Sequence, residues 1–566
     1  GRQPLWSRFP ETYGEDVLLA TEMGLATIEG YQGNNLADAY HVAACMKHFL
    51  GYSMPRTGKD RTPVYIDEIQ LREYFLPTFQ AAINAGAATV MINSGELNGI
   101  PVHADKKILT DLLRSELGFK GVAVTDWEDI MKLNNIHMVA PTLKDAVYMA
   151  IDAGIDMCMV PNDYDFTILL TELVKEGKIS EARLDVSVKR ILELKKQLGL
   201  FEQPFTPANT DYKKFGSTEF ARAAQNMAEE SITLLKNNNQ VLPIQQSAKI
   251  LVTGPAANSM TYLNGAWTRT WQGSDTIWND QSKYTIREAF NPATTTFIAS
   301  DNMSDTDVRE KMFAAAKASD VIIICLGEKP STEKVGDIDA LTMPDNQQQL
   351  VGLLKSTGKP VVLVLVENRP LIVNDIEPLC DAIVLAYEPG DYGGLALANI
   401  IYGKVNPSGK LPFTYPRHEA SLLWYDHKHT ETLDQTFGRK AFNPQWEFGY
   451  GLSYTTFQYS NLKISNDTLS TGNLQISVDV TNTGTTTGKE VVQFYIADRY
   501  ASITPSVKRL RGFEKVEIKP GTTHIVSFTI SAKDLAFVGR DEKWISEAGW
   551  FDIMLGSEKS SFYLSK

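Results

Sequence analysis

The stretch Gly121–Ile130, G-V-A-V-T-D-W-E-D-I, decides how this chain is read. Val122 to Thr125 form a short apolar run of the kind that makes a buried strand, and Asp126 stands where that strand stops. A carboxylate at the carboxyl end of a barrel-type strand is where such folds keep their chemistry. The indole of Trp127, directly after it, suits the flat apolar face of a sugar ring. The plain alternative is that Asp126 only caps the helix that follows, since Asp is a favoured N-cap.

Outward from this segment, Tyr40 to about Phe201 repeats one pattern of short apolar strand, loop and amphipathic helix. The strand candidates are residues 42–49, 88–92, 121–125 and 155–160. Helical stretches such as 67–85 and 104–117 separate them. Strands alternating with helices imply a parallel sheet. The helix expected over 180–198 carries Leu184, Val188, Ile191, Leu192 and Leu198 near the helical period. Four strands are half of an eight-stranded barrel, and completing one would take roughly 100 residues or more before Gly1. The opening G-R-Q-P-L-W-S-R-F-P, with no initiator Met and no signal peptide, reads as the interior of a loop, so a missing natural start is expected.

Residues 204–216 form a polar, proline-bearing connector. A helix is expected over 219–236, then a second α/β region with strands at 249–253, 321–326, 361–366 and 382–386, the pattern of a doubly wound sheet. After Tyr454 the pattern changes to β alternation. Residues 474–481, 490–497, 524–530 and 550–555 fit strands of a small sandwich, with Asn482-Thr483-Gly484 as a turn. The expected fold is therefore α/β, a partial β/α barrel over 1–203, an α/β sandwich over 219–440 and an all-β domain over 454–566. Linkers are expected at 204–218 and 441–453.

At 566 residues with 43% hydrophobic composition, the chain can bury several cores. A net charge of −13 argues against nucleic acid and anionic membranes as partners. No apolar run reaches the roughly 18 residues of a membrane span. The four cysteines, Cys45, Cys158, Cys325 and Cys380, lack metal-ligand spacing and read as buried free thiols.

The motifs W-S-R-F-P-E-T-Y-G-E-D (Trp6–Asp16), C-M-K-H-F (Cys45–Phe49), V-A-V-T-D-W (Val122–Trp127) and F-G-Y-G-L-S-Y (Phe448–Tyr454) together resemble glycoside hydrolase family 3. The resemblance runs along the whole chain in order. It implies a retaining exo-acting β-glycosidase built from a TIM-like barrel, an α/β sandwich and a fibronectin type III-like domain. It places the nucleophile at Asp126, and Lys47, His48 and Arg8 on the non-reducing sugar. A core histidine and a solvated loop arginine are the plain alternatives for His48 and Arg8.

Retaining hydrolysis needs an ionised carboxylate and a second carboxyl that delivers a proton. In the glucosidases of this family the second carboxyl comes from the α/β sandwich, and the T-E-x-x-G-D pattern in Gly327–Pro344 places it at Glu333, with Glu328 supporting the loop. The loop after K-H-F, residues 50–63, has no histidine, which sets aside the N-acetylglucosaminidase branch with its Asp-His dyad. Trp271, in N-G-A-W-T-R-T-W-Q-G-S-D, resembles the second indole of a clamp formed with Trp127. Trp267 is the better core candidate of the two tryptophans in that segment. Ser94 stands where some members have a tyrosine, so its contact with the nucleophile is in question, and Glu96 is a candidate for that space. An aspartate that reads the outer hydroxyls lies upstream of Gly1 in the family.

The resemblance implies terminal β-D-glucose as the substrate unit, no cofactor or metal, and a periplasmic or extracellular location. It allows a homodimer. A β-xylosidase of the same family and a non-catalytic carbohydrate-binding relative are the alternatives.

Overall fold

Three parallel strands carry the first part of the chain. In the computed structural model, which describes residues 1–162, 164–205, 214–299, 304–434 and 439–565, β1 (Cys45–Phe49), β2 (Thr89–Ile92) and β3 (Val122–Val124) lie side by side in that order. The β1–β2 register slips between Met46 and Phe49, at Lys47 and His48. Irregularities of this kind re-aim side chains and gather next to active sites. Between β1 and β2 the chain is helical through Glu68–Gln70, Leu71–Phe75 and Leu76–Asn84, the middle five with π spacing. Asp67 starts it by accepting from the Gln70 amide. Between β2 and β3 the helix Lys107–Glu116 buries Ile108, Leu109, Leu112 and Leu113 against the sheet. Gly121 lets β3 begin there, because a Cβ at that position would lie 2.1 Å from the Ala88 carbonyl oxygen.

The fourth expected strand, 155–160, is reduced to one parallel bridge between Val124 and Met157. The amides of Asp156 and Met157 both donate to the Ala123 carbonyl, which breaks the even spacing of a parallel ladder. The segment is held all the same: Thr125 donates its amide to the Met157 carbonyl, and its Oγ1 accepts from the Met159 amide.

The helix Glu181–Gln197 forms as expected, but its apolar stripe does not face the core. Leu184 packs on the core, whereas Val188 and Leu192 are exposed. The face that turns inward is polar. Arg183 donates to the Ile151 and Ile155 carbonyls, and Ser187 and Arg190 both donate to Oδ1 of a buried carboxylate, Asp156. Arg114 and the Ala123 amide complete that cluster. Burial lowers the Arg114 guanidinium to about 10 despite Asp156 beside it.

The second sheet has six strands. β4 (Thr233–Asn237), β5 (Ile250–Thr253), β6 (Thr295–Ile298), β7 (Val321–Gly327), β8 (Val361–Val366) and β9 (Ala382–Leu385) are ordered β4-β9-β8-β7-β5-β6. All pairs are parallel except β4 with β9. The central strands β7 and β8 are buried throughout, as expected for a sheet covered on both faces. The helix expected over 219–236 ends at Ser231, and Thr233–Asn237 is strand instead. Ile232 and Thr233 are β-branched and favour that switch. The edge strand β6, only half buried, had no clear apolar signature.

The last region packs two antiparallel sheets. β10 (Phe457–Ile464), β11 (Asn473–Asn482) and β14 (Thr523–Ser531) form one, and β12 (Gly488–Asp498), β13 (Arg509–Ile518), β15 (Gly549–Leu555) and β16 (Glu558–Leu564) lie in the other. β10, β13 and β16 were not expected from the sequence. Alternate residues of β11, from Leu474 to Val480, fill the core between the sheets.

The described residues divide into two compact units. One holds the stretch from Thr12 through the helix Glu181–Gln197, with Val538–Trp544. The other holds Arg2–Glu11, the six-stranded sheet and the sandwich. Residues 206–213 of the expected connector lie outside the described residues. In the segment 441–453, Trp446 and Phe448 are buried. All four cysteines are free; Cys325 and Cys380 are buried as expected, whereas Cys158 is half-buried and Cys45 exposed. Cys45 opens the short strand β1, whose first residues are not covered.

Asp156 joins a helix, β3 and the segment after it, so its removal is a test of the first unit's stability. Asp156→Ala leaves Arg114 and Arg190 without their buried anion and should cost about 3–5 kcal/mol, the usual penalty for breaking a buried pair. Urea unfolding followed by near-ultraviolet circular dichroism measures it. An unchanged midpoint would refute the assignment of this cluster as a structural tie.

Candidate active site

At the end of β3, Asp126 is 8% exposed and its carboxylate is surrounded by donors and cations. Oδ1 accepts from the Trp127 amide at 2.6 Å, and Oδ2 accepts from Ser94 Oγ at 2.9 Å and from Arg61 Nη2 at 3.3 Å. His48 Nε2 lies 3.6 Å from Oδ2. Burial by itself raises this carboxyl, but His48, the Trp127 amide, Arg61 and Ser94 outweigh it and hold it well below the usual carboxylate range. The helix after β3 starts at Asp129, with Glu128 at its N-cap position. Asp126 is therefore not that helix's cap.

One of these neighbours was not singled out from the sequence. Arg61 comes from the loop after β1, where the absence of histidine drew attention and the D-R pair did not. Asp60, 1% exposed, fixes it by accepting from Arg61 Nη1 at 2.6 Å and from the Tyr52 hydroxyl at 2.8 Å. The Tyr52 ring in turn stands edge-on to His48, with centroids 4.8 Å apart. Ser94 does contact Asp126, and Glu96 does not take that space: Glu96 Oε1 pairs with His137 Nδ1 at 2.9 Å. A serine reaches because β2 ends close to β3, where a longer side chain is not needed. Its single hydroxyl proton also faces Asp129 Oδ2 at 2.6 Å, and Asp129 is itself paired with Lys132 at 2.7 Å. His103 lies 3.5 Å from Asp129, and burial lowers its pKa, favouring the neutral ring.

His48 is buried and Lys47, its neighbour on β1, is exposed. Trp127 is 52% exposed, so its indole is available to solvent rather than to the core.

In the other unit, Glu333 opens a short turn, Glu333–Gly336, in the loop after β7. That loop is launched by Gly327, whose φ of 150° and close approach to the Val366 carbonyl (1.7 Å from a built Cβ) admit glycine alone. Gln347 clamps Gly327 on both its amide and its carbonyl. Glu328 pairs with the buried Arg369, which also donates to the carbonyls of Leu5 and Gly336. Glu328 is thus tied into loop structure, as expected.

Arg8 is 1% exposed, which excludes the solvated-loop alternative. Its Nη1 donates to Glu333 Oε1 at 3.1 Å, while Nε and Nη2 donate to the two oxygens of Glu11 at 2.9 and 2.8 Å. Phe9, buried against Phe413, anchors the segment that carries Arg8. Trp271 is 50% exposed, on a loop whose Gln272 side chain bonds the amide and carbonyl of Thr332, next to Glu333. Trp267 is not a core residue: it is 49% exposed, at φ 65°, with its indole N–H donating to Glu11 Oε1. Glu388 is close by; burial pushes its carboxyl up to about 8, with Glu328 and Glu11 adding to the shift.

Among the described residues, no group of three or more His, Cys, Asp or Glu is placed to hold a metal ion, and no helix is long and apolar enough to cross a membrane.

Known proteins match this chain along its whole length. Residues 1–194 match the glycosyl hydrolase family 3 N terminal domain, 232–454 the glycosyl hydrolase family 3 C-terminal domain, and 490–559 a fibronectin type III-like domain. A lysosomal beta glucosidase of Dictyostelium discoideum is 43% identical over 100% of this chain and 72% of its own length. A beta-xylosidase of Formosa agariphila is 34% identical over 98% of this chain and 80% of its own. The solved structure of a beta-glucosidase from Listeria innocua in complex with glucose superposes with a TM-score of 0.93, at 30% identity over 100% of this chain and 80% of that one. With its barrel-like, α/β sandwich and fibronectin type III-like parts in that order, the chain belongs to glycosyl hydrolase family 3.

Proposed function

We propose that the protein is a retaining, exo-acting β-glucosidase that removes terminal non-reducing β-D-glucosyl residues by double displacement. The observation that carries this reading is the Asp126 carboxylate, buried at a strand end yet held ionised by His48, Arg61, Ser94 and the Trp127 amide. In the first step Asp126 attacks the anomeric carbon while Glu333 passes a proton to the leaving oxygen. The glycosidic C–O bond breaks and a glycosyl ester forms on Asp126. In the second step Glu333 takes a proton from water, whose oxygen attacks the same carbon and frees the Asp126 carboxylate. Net retention follows from two inversions, and the mechanism requires the two carboxyl groups about 5–5.5 Å apart.

Lys47 and His48 are proposed to hold hydroxyls of the terminal sugar, and Trp127 and Trp271 to stack on the sugar that leaves. Arg8, assigned to the terminal sugar from the sequence, is proposed also to hold Glu333. The domain boundaries near 203–219 and 440–454 are proposed with the same reading. So is a location outside the cytosol, periplasmic or extracellular. The lysosomal name of the Dictyostelium relative is in keeping with such a compartment. The Formosa relative's name keeps β-xyloside hydrolysis as the second reading. Aryl-β-glucoside should be turned over with the higher kcat/KM; a preference for aryl-β-xyloside would reverse the substrate assignment.

Proton NMR of the first products should detect the β-anomer before mutarotation, and Asp126→Ala should abolish turnover. An α-anomeric first product, or an active Asp126→Ala variant, would sink the mechanism. Glu333→Gln should lose about 10²–10⁴-fold in kcat on substrates with poor leaving groups.

Arg61 favours the ionised nucleophile, so Arg61→Met should raise the pKa of Asp126. The ionised fraction is then lost at higher pH, and the acid limb of kcat/KM moves up by about one unit. A pH–rate profile carried down to the lowest pH at which both proteins stay folded checks this; an acid limb unmoved over that range would mean that Arg61 contributes nothing to the charge on Asp126.

A further inference from the structure

Glu11 is the point where three side chains around Glu333 meet. Its Oε1 accepts from Arg8 Nε at 2.9 Å, from Trp267 Nε1 at 2.9 Å and from Thr332 Oγ1 at 2.8 Å, and its Oε2 accepts from Arg8 Nη2 at 2.8 Å. Three donors converge on Oε1 and one reaches Oε2, so Oε1 is shared among them. Burial pushes Glu11 up, but Arg8, Trp267 and Thr332 outweigh it, so it stays ionised and is no candidate for the proton donor. Its partners are the cation that holds Glu333, the residue immediately before Glu333, and an indole on the loop that also presents Trp271.

From this geometry we infer that Glu11 is a positioning residue for the acid/base step, dividing the charge of Arg8 so that Glu333 can both accept and release a proton. The inference rests on Glu333 being the acid/base. An arginine paired with one carboxylate alone favours its ionised form and opposes the protonation that the first step needs. Here the guanidinium gives two donors to Glu11 and one to Glu333, so most of its charge is matched before Glu333 is counted. Glu11 also repels a second negative charge nearby, in the same direction. The other charged groups packed around are Glu328, paired with Arg369, and Glu388 after β9; Lys334 and Asp337 share or follow Glu333's own turn.

The connection to Thr332 and Trp267 adds a geometric role. Gln272 bonds the Thr332 backbone from the Trp271 loop, and Thr332 bonds Glu11, so the Glu333 turn and the tryptophan loop are held from one carboxylate. Removing it would release charge and position together.

The experiment is the pH profile of kcat/KM for Glu11→Gln and Glu11→Asp, each on a dinitrophenyl glucoside, which needs little acid help, and on a disaccharide, which needs it. In Glu11→Gln, Arg8 keeps Glu333 as its anion, so the basic limb should move to lower pH by about one unit. The loss in kcat should be at least about ten-fold larger on the disaccharide than on the activated glucoside. Glu11→Asp keeps the charge on a shorter side chain and should shift the limb in the same direction by less. It decides the matter where Glu11→Gln does not fold. A uniform loss on both substrates with an unmoved basic limb overturns the inference. Glu333→Gln separates this from the underlying reading: if it shows no dependence on the leaving group, Glu333 is not the acid/base, whatever the Glu11 variants do.

Discussion

A carboxylate taken out of water has to be given donors or a proton, and the end of β3 gives Asp126 donors. They come from three separate places, its own backbone neighbour Trp127, Ser94 after β2 and Arg61 from the loop after β1, with the His48 ring on β1 standing 3.6 Å away. Parallel strands make this possible, because their carboxyl ends open on one side and their following loops converge there. The slip of register at Lys47 and His48, the tight start of β3 at Gly121 and the Asp60 tie on Arg61 all bear on that convergence. The charge state also has a sign for stability. Asp126 titrates lower in the folded chain than unfolded, so its contribution is present above the ordinary carboxylate range. It is lost as pH falls through the folded value.

The second carboxyl is placed by different means. Glu333 sits in a turn launched from an all-buried strand through a glycine that nothing else can replace, and its cation comes from a segment 325 residues earlier. That segment is fixed by Phe9 in an apolar core and by Arg2 on Asp426. Two carboxyls of one chemical type thus receive opposite treatment. Asp126 meets several independent donors, and Glu333 meets a cation whose charge another carboxylate already draws on.

Much of this was legible in the sequence, for identifiable reasons. The buried central strands read clearly because they are continuous apolar runs: 361–366 was recovered as found, and 321–326 to within one residue. Edge strands such as Thr295–Ile298 did not, since half-burial leaves no distinct pattern. The helix Glu181–Gln197 was found, but its apolar period misled as to which face is inward, because Arg183, Ser187 and Arg190 repeat at the same spacing, the first bonding backbone carbonyls and the other two Asp156. At the site, Asp126, His48 and Trp127 lie at strand ends, where local pattern suffices. Arg61, Ser94 and Glu11 matter through partners 65, 32 and up to 321 residues away, and no local rule reports that.

The tryptophans add a constraint of their own. Trp127, Trp267 and Trp271 are each about half exposed, which leaves large apolar area in water that the fold does not recover. Exposure of this kind usually brings mobility, yet the backbone or side chain around each indole is tied: Trp127 by its amide to Asp126, Trp267 by its indole N–H to Glu11, and Trp271 through Gln272 on Thr332. An aromatic surface ordered before binding spares the ligand that ordering cost. Flat rings read the face of a sugar and not the position of a hydroxyl, whereas the charged groups near Asp126 are directional donors. Under the proposed function, discrimination at the reacting sugar rests on directional donors and tolerance of what leaves rests on flat apolar faces.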